Sequence, residues 1–265
     1  MNFAGGEARV APEHLKEVEA YYRENSELVT SPFAAVAGFR PGLLDGVLKR
    51  LGLSVAGLNV LDVGCGRALL RQFVEQKGGA YTGYDLVLDR VQRDGENRFV
   101  RGDAHFLPFR SGSFDAVFCL DSFEHYLDGA AVAREFRRIL RPDGFVFLSV
   151  PNYSNVAGLV KWVSERLGLR EKNTWAPFAA WKPQALEHFV TPRYVRSSFE
   201  QAGFRHFRRV GYGDEVSIGL FPWLWHPLMP GRLERLARAA FRPFGNAIAR
   251  AWPGASLHLF WAITA

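Results

Sequence analysis

The chain has 265 residues, 48% of them hydrophobic and 23% charged, and carries a formal net charge of +6. This composition excludes a largely disordered chain and fits one large α/β domain, with or without an appended subdomain. No stretch reaches the roughly 18 consecutive apolar residues of a membrane-spanning helix. The first residues lack the basic and then apolar pattern of a secretory signal, so we expect a cytoplasmic protein.

The first 150 residues predict alternating helices and strands. Residues 13–52 have a helical pattern that ends at Gly52, a residue type that often terminates helices. Short apolar, β-branched runs then predict five strands, at 58–64, 80–85, 98–103, 114–121 and 145–152. Helices are predicted at 68–76 and 129–140, and RPDG at 141–144 predicts a turn. This alternation indicates a parallel, doubly wound α/β sheet.

The remaining residues are less regular. Two helical pieces are predicted within 153–190, and a helix at 191–203 starts with Thr191 as its N-cap. The last predicted elements are a strand at 204–212, an aromatic and arginine-rich insert at 213–254 and a closing strand at 256–264. The two cysteines, Cys65 and Cys119, lie in apolar segments and are expected to be reduced and buried. The spacing of Cys and His residues predicts no metal site.

The segment VLDVGCGRALL, residues 60–70, joins the first strand to a helix through a glycine turn. Glycines at 64 and 66 permit tight backbone angles and let a ligand approach the main chain. The start of the helix offers free N–H donors. A dinucleotide fingerprint would need a third glycine at position 69, which is Leu69, so a NAD-dependent oxidoreductase is disfavoured. Ala68 is expected at the helix start, where alanine is tolerated.

Asp85 ends the second predicted strand, 21 positions after Gly64. A carboxylate at that strand end can accept hydrogen bonds from the two hydroxyls of a ribose, in a dinucleotide or in an adenosyl ligand. The alternative is an exposed acid that merely ends a strand. The distance from the glycine turn favours the ligand role.

Five motifs appear in one order: VLDVGCG, YDL, GDAHFLPF, SFDAVFCLDSFEHY and RRILRPDGFVFLSVPN. Together they resemble the class I S-adenosylmethionine-dependent methyltransferases, in particular the methyltransferase type 11 group that includes quinone-biosynthesis enzymes. The resemblance is strong over residues 55–152, and EHFVTPRYVRSSFEQAGF at 187–204 extends it. It implies a Rossmann-like sheet of seven strands in the order 3-2-1-4-5-7-6, with the last strand antiparallel.

The resemblance also implies S-adenosylmethionine as the cofactor and a set of residues that bind it. Gly64 and Gly66 would lie under the methionine part, and Asp62 would hold the turn or reach the cofactor ammonium through water. Asp85 would bind the ribose, while Leu86 packs on the adenine. The other implied contacts are Asp103 and Ala104 at the adenine, Cys119 and Leu120 near the sulfur, and Tyr21 or Tyr22 from the N-terminal helix.

Two histidines are candidates for contact with the methyl acceptor. His125 follows the fourth strand, and His188 precedes the capped helix, so both are expected at the carboxyl edge of the sheet. Either can act as a general base toward a hydroxyl nucleophile. Each can equally be a hydrogen-bonded structural histidine. Asp121 and Glu124 are weaker candidates, since acids there can simply cap or face solvent.

The predicted organisation is a single methyltransferase domain, 1–265, with a cofactor-binding core at 55–152. Residues 1–52 form a helical cap, and 153–190 and 213–254 form insertions on the substrate side. Within the last insertion, Leu233, Leu236 and Phe244 share one helical face, opposite a row of arginines. That helix can be a lid, a peripheral membrane contact through 219–250, or simple packing against the sheet.

The sequence therefore predicts methyl transfer to a small or lipid-like acceptor, with an oxygen favoured over other acceptor atoms. An RNA or other nucleic-acid methyltransferase is the alternative that the positive charge supports. CLDSFEH after the fourth strand differs from the catalytic tetrad of base-methylating enzymes, and no DNA partner is expected. A cofactor-binding scaffold without activity also stays open. Trp175 and Trp181 can line an acceptor pocket or stabilise the fold.

Overall fold

The computed structural model describes residues 12–24, 34–35, 38–88, 98–169, 171–173, 185–225 and 230–265. Within these residues one sheet contains β1 Asn59–Val63, β2 Ala80–Asp85, β3 Phe99–Arg101, β4 Phe114–Leu120, β5 Leu140–Pro151, β6 His206–Gly211 and β7 His258–Thr264. The α-helices of the same residues are α1 Pro12–Glu24, α2 Pro41–Arg50, α3 Arg71–Gln76, α4 Gly129–Ile139, α5 Val156–Arg166, α6 Pro192–Gln201, α7 Val216–Leu220 and α8 Gly231–Ala251.

The strands lie in the spatial order 3-2-1-4-5-7-6. The first five pair in parallel, whereas β7 is antiparallel to both of its neighbours, β5 and β6. The predicted fold class, strand order and antiparallel last strand are confirmed. Because parallel strands all end at one edge, the residues that follow β1, β2 and β4 meet there.

Two layers of helices cover the sheet, as the apolar strands require. Successive residues of β1 point to opposite faces, so Val60 packs in the core with α2 and α3 while Leu61 packs in the core with α4 and α6. Thr191 caps α6 by accepting a hydrogen bond from the Tyr194 N–H at 3.2 Å, as predicted. The alternation of residues along the strand and the N-cap of α6, both visible in the sequence, therefore account for how helices pack on the two faces of the sheet.

The helix predicted from Ala68 starts later, at Arg71. Ala68 lies in the left-handed region, with φ +56°. The prediction that it occupies a helix start is wrong, because the glycine turn continues through this residue. A left-handed residue with a Cβ costs roughly 1–2 kcal/mol, which the surrounding packing of Ala68 against Cys65 and Leu88 must offset.

The RPDG segment, predicted as a turn, lies inside β5 as a bulge. The ladder pairs Phe114 with Leu140 and resumes only at Phe145, so residues 141–144 stand opposite Asp115. The proline of this segment has no N–H to donate to a ladder. The arginine of the segment forms an ion pair with Asp115 instead. The segment thus forms a bulge, and the chain continues in the same strand of the sheet.

The insert between β6 and β7 consists mainly of α7 and α8. Gly245 of α8 packs closely on Gly213, where a Cβ would overlap the Gly213 carbonyl oxygen. The Phe241 ring lies 5.1 Å from the Phe221 ring. Simple packing does not account for the whole helix, since Leu236 and Phe244 are 66% and 64% exposed. Among the described helices, none has the length and hydropathy needed to cross a membrane.

Candidate functional site

The glycine turn after β1 forms one wall of the carboxyl edge. Gly64 and Gly66 have φ values of +74° and +49°, as the predicted tight turn requires. The Gly64 N–H donates to the Tyr84 carbonyl oxygen at 2.8 Å, which ties the turn to β2. A Cβ on Gly64 would overlap the Ser122 hydroxyl, whereas one on Gly66 would meet nothing within 4 Å. The main chain at Gly66 therefore borders open space that a ligand can enter.

Asp85 lies directly beside this turn. Its Oδ2 accepts a hydrogen bond from the Gly66 N–H at 2.8 Å, and its Oδ1 accepts one from the Val87 N–H at 2.9 Å. Both carboxylate oxygens of Asp85 therefore bind the main chain next to the glycine turn. Leu86, the residue between these contacts, is half-buried at the end of β2.

Asp103 follows β3 and forms a small network with His105. Asp103 Oδ1 lies 2.6 Å from His105 Nδ1, and the Asp128 N–H donates to His105 Nε2 at 3.1 Å. Since Nε2 accepts, Nδ1 carries the proton and donates to Asp103. Asp103 Oδ2 is buried and has no hydrogen-bond partner. Ala104, next in the chain, is buried.

Asp62 points away from solvent beneath the turn. It is buried, and the Tyr81 hydroxyl donates to its Oδ2 at 2.8 Å. Burial raises the pKa of Asp62 to about 7, with repulsion from Asp85 adding to the effect and the Tyr81 hydrogen bond opposing it. The Tyr81 contact thus joins Asp62 of β1 to the neighbouring strand β2.

Both candidate histidines lie at this edge, each with one ring nitrogen engaged. His125 Nδ1 lies 2.7 Å from the Leu186 carbonyl oxygen, and His188 Nε2 lies 2.9 Å from the Tyr126 carbonyl oxygen. Because a carbonyl only accepts, the engaged nitrogen of each ring carries a proton. Burial lowers the pKa of His125 to about 4, so the ring is neutral at physiological pH.

Helix α1 covers the same edge. The Tyr22 ring centre lies 6.1 Å from that of His125 and 5.4 Å from that of Tyr21. Burial, followed by the charge of Glu124, raises the pKa of Tyr22 above its usual range. An ion pair between Glu19 of α1 and Arg101 of β3 ties the helix to the sheet. The structure therefore brings both tyrosines to the region predicted for them.

The end of β4 closes the edge from below. Cys119 is fully buried, with its Sγ 4.0 Å from the Tyr126 hydroxyl, and burial raises the pKa of its thiol. Leu120, the next residue, is half-buried at the strand end. A protonated, enclosed thiol is chemically inert, so any contact of Cys119 with a ligand is one of packing. Trp175 and Trp181 lie outside the described residues.

Comparisons with known proteins agree with this arrangement. Residues 61–148 match the model of a methyltransferase domain family. The ubiquinone biosynthesis O-methyltransferase of Bordetella avium is 28% identical over 182 residues, 65% of this chain and 72% of that protein. The one from Xanthomonas oryzae pv. oryzae is 37% identical over 135 residues, 48% of this chain and 56% of that protein. The chain thus spans only part of each relative.

Solved structures share the fold. An S-adenosylmethionine-dependent methyltransferase from Archaeoglobus fulgidus superposes with a TM-score of 0.52 at 16% identity, covering 84% of this chain and 94% of that one. One from Mesorhizobium loti gives 0.51 at 18% identity, covering 83% and 99%. The sheet therefore has the fold of the S-adenosylmethionine-dependent methyltransferases, and residues 61–148 form a methyltransferase domain.

The methyltransferase has further polar residues at the carboxyl edge that the motifs do not single out. His105 was predictable in principle, because it follows Asp103 by two residues in GDAH. Glu187 and the buried pair of His258 with Glu215 were not, since their partners are distant in sequence. His258 Nδ1 lies 2.8 Å from Glu215 Oε2, 43 residues apart. The pairing of β7 with β6 brings His258 and Glu215 together.

Proposed function

We propose that this methyltransferase transfers a methyl group to a hydroxyl oxygen of a small or lipid-like acceptor. The observation that carries the proposal is the similarity to two ubiquinone biosynthesis O-methyltransferases, 37% identical over 135 residues in one case. The exposed apolar residues on the insert are consistent with an acceptor that has a hydrocarbon part. Nothing in this proposal depends on a single catalytic side chain.

The residues around the glycine turn suit the cofactor. Asp103 Oδ2, buried without a partner, can accept a hydrogen bond from the adenine amino group. Asp85 lies at the end of β2 beside the glycine turn, the position from which a carboxylate can bind ribose hydroxyls. The open space at Gly66 suits the methionine part. We assign the binding role to these three residues, with Gly64 and Asp62 holding the turn and Leu86 and Ala104 contacting the adenine.

The bound cofactor would supply an electrophilic methyl group, and the protein has to position the acceptor and exclude water. His125 is neutral, and its Nε2 can accept a hydrogen bond from an acceptor hydroxyl. Its lowered pKa makes it better suited to orient that hydroxyl than to hold its proton. His188 Nδ1 can act in the same way. Tyr21 and Tyr22 would cover the bound cofactor from α1.

The proposed organisation follows from these roles. Residues 55–152 bind the cofactor, residues 1–52 cover it, and the segments 153–190 and 213–254 contact the acceptor. Helix α5 belongs to the first of these segments and α8 to the second, and both contact α7. In this proposal the acceptor site is formed by helices that contact one another and follow β5 in the chain.

To test the proposal, the enzyme is incubated with S-adenosylmethionine carrying a labelled methyl group and a panel of acceptors. The panel contains a 4-alkylcatechol, the matching alkylamine and a bulk transfer RNA. We expect an O-methylated catechol, identified by mass spectrometry. Label found only on the amine would contradict O-methylation, and label found only on RNA would favour the nucleic-acid alternative. Tight binding of S-adenosylmethionine with no transfer to any acceptor would favour the scaffold alternative.

We propose in addition that α5, α8 and the exposed apolar residues next to them contact an anionic membrane surface. Large side chains on these adjoining elements are at least 48% exposed: Leu159, Trp162, Leu167, Leu169, Trp223, Leu233, Leu236, Phe244 and Trp252. We call this set the apolar surface. Arg232 and Arg235 are exposed on α8, and the Arg166 guanidinium lies 5.5 Å from the centre of the Trp162 ring. Aromatic and basic groups side by side are typical of interfacial binding.

Co-sedimentation with vesicles tests the membrane contact. We expect the wild type to bind vesicles that contain anionic lipid at low salt, with weaker binding to neutral vesicles. The double variant Leu233→Ser, Leu236→Ser should bind at least about a hundredfold less, because each lost apolar side chain removes about 1.5–3 kcal/mol of burial and every 1.4 kcal/mol is roughly a factor of ten. Both side chains are exposed, so its affinity for S-adenosylmethionine should be unchanged. Equal sedimentation of wild type and variant would remove the membrane role and favour a lid.

A further inference from the structure

Two buried acids at the carboxyl edge each have an oxygen without a hydrogen-bond partner. Glu124, in the 3-10 turn Phe123–His125, is 3% exposed, and Glu187 is 8% exposed. Glu124 Oε2 and Glu187 Oε2 are buried and accept no hydrogen bond. A buried polar group without a partner costs roughly 1–3 kcal/mol, and more when it is charged. A protein retains such groups where a ligand completes them.

The fold places these two acids side by side. The backbone N–H of His188 donates to the Glu124 carbonyl oxygen at 2.9 Å, so the residue after Glu187 is bonded to Glu124 itself. Repulsion from Glu187 contributes to raising the pKa of Glu124, and the charges of both acids act on Tyr22. Tyr22 also feels Asp85, the proposed ribose ligand. The acids therefore lie near Tyr22, whose ring centre is 6.1 Å from that of His125, the residue after Glu124.

Two other buried acids of the same region, Asp62 and Glu215, have protein partners, whereas Asp103 Oδ2 and Asp121 Oδ2 share the unpartnered state of the two glutamate oxygens. The Tyr81 hydroxyl donates to Asp62, and His258 lies 2.8 Å from Glu215. In Glu187 one carboxylate oxygen is hydrogen-bonded, since the Tyr153 hydroxyl donates to its Oε1. This difference in hydrogen bonding distinguishes acids that stabilise the fold from acids next to the cofactor region that can still accept a hydrogen bond from a ligand.

The negative charge of the two acids is reduced by their surroundings, which raise the pKa of both carboxyl groups. Burial raises the pKa of Glu124 well above its usual value, with the charge of Asp121 adding to the effect. Burial raises the pKa of Glu187 as well, and the nearby Lys161 opposes this. Lys161 is itself paired with Glu165. Partly neutralised carboxyl groups suit neutral hydrogen-bond donors better than a full positive charge.

We propose that Glu124 and Glu187 bind the hydroxyl groups of the methyl acceptor through their two unpartnered oxygens, and so determine which acceptors the enzyme takes. This inference rests on the proposed O-methylation. It predicts that an acceptor with two hydroxyl groups binds better than one with a single hydroxyl, and that an alkylbenzene without hydroxyls binds least. The two acids are specificity residues here and do not take part in the transfer itself.

The first experiment needs no acceptor. Thermal unfolding is compared for the wild type, Glu124→Gln, Glu187→Gln and the control Glu215→Gln. Replacing a carboxyl that has one unpartnered oxygen with a neutral amide should leave the unfolding temperature equal or higher, because the amide oxygen of the Glu187→Gln variant can still accept the Tyr153 hydrogen bond. In contrast, Glu215→Gln should lower it by breaking a buried ion pair. A loss of stability in the Glu124 and Glu187 variants as large as in the control would overturn the inference, because the acids would then be structural.

The second experiment measures binding by calorimetry in the presence of S-adenosylhomocysteine, with a 4-alkylcatechol, the alkylphenol, the alkylbenzene and the alkylamine as probes. Each Gln variant should weaken catechol binding roughly threefold to tenfold, as expected for the loss of one hydrogen bond between uncharged groups. Alkylbenzene affinity and S-adenosylhomocysteine affinity should not change. Unchanged catechol affinity would overturn the inference, and so would a larger loss for the alkylamine, which would assign the acids to an amine.

These results are separable from the proposed function. If the catechol binds through both acids but receives no methyl group, O-methylation fails and the binding site stands. If the catechol is methylated with an unaltered KM in both variants, the function stands and the inference about Glu124 and Glu187 fails.

Discussion

Replacing Asp85 with alanine should weaken the binding of S-adenosylmethionine by about 1.5–3 kcal/mol, roughly tenfold to hundredfold in Kd. The proposed ribose hydrogen bonds would be lost with the carboxylate. So would the hydrogen bonds from the Gly66 and Val87 N–H groups, which hold the main chain beside the open space. Calorimetric titration with S-adenosylmethionine measures the change directly.

The matched control for this variant is Asp143→Ala. Asp143 lies exposed in the β5 bulge, so its removal changes the net charge by the same amount without touching the glycine turn. Its Kd for S-adenosylmethionine should equal that of the wild type. An Asp85→Ala enzyme that binds as tightly as this control would refute the ribose role and leave Asp85 as a residue that only shapes the turn.

His258→Gln should lower the free energy of unfolding by about 3 kcal/mol at pH 6. His258 is 1% exposed and lies between Glu215, at 2.8 Å, and Asp121, at 3.7 Å. Burial alone would lower its pKa, but the attraction of Glu215, its hydrogen bond and the charges of Asp121 and Glu187 outweigh this and raise the pKa to about 9. Loss of the cation leaves Glu215 buried without its partner.

The effect depends on pH in a defined direction. In the unfolded chain the histidine has a pKa of about 6.5, below its value of about 9 in the folded protein. Its stabilisation is therefore complete below pH 6.5 and is lost as the pH rises through 9. Urea unfolding at pH 6 and pH 9.5 should show a large difference between wild type and variant at the lower pH and a smaller one at the higher.

His206→Gln is the control, because His206 is exposed at the start of the neighbouring strand β6. It should unfold like the wild type at both values of pH. A His258→Gln difference that is the same at pH 6 and pH 9.5 would mean that His258 contributes by packing and not through its charge.

The cofactor side of the site was predictable from the sequence to a large extent. The β-branched run of β1, the glycines at 64 and 66 and the acid at the end of β2 lie within 26 residues of each other. Their geometry depends on local backbone preferences and on the rule that parallel strands end at one edge. Features that depend on such local rules can be predicted from the order and spacing of the residues.

Two local predictions failed where tertiary contacts outweighed them. Ala68 takes a left-handed conformation, although alanine prefers a helix, because the turn is held by hydrogen bonds to β2. The RPDG segment stays in the sheet as a bulge, because an ion pair with Asp115 replaces the ladder bonds that it cannot make. In both cases a partner distant in sequence decides the conformation.

By itself, the sequence determined the sheet, its strand order through the family resemblance, and the residues around the glycine turn. Only the tertiary structure decided which acids are left without partners, which histidine carries a charge and which apolar residues stay exposed on α8. Glu124 with Glu187 and His258 with Glu215 are pairs formed across 63 and 43 residues. Burial and charge act through space, so their effects on these groups become defined only when the strands pack.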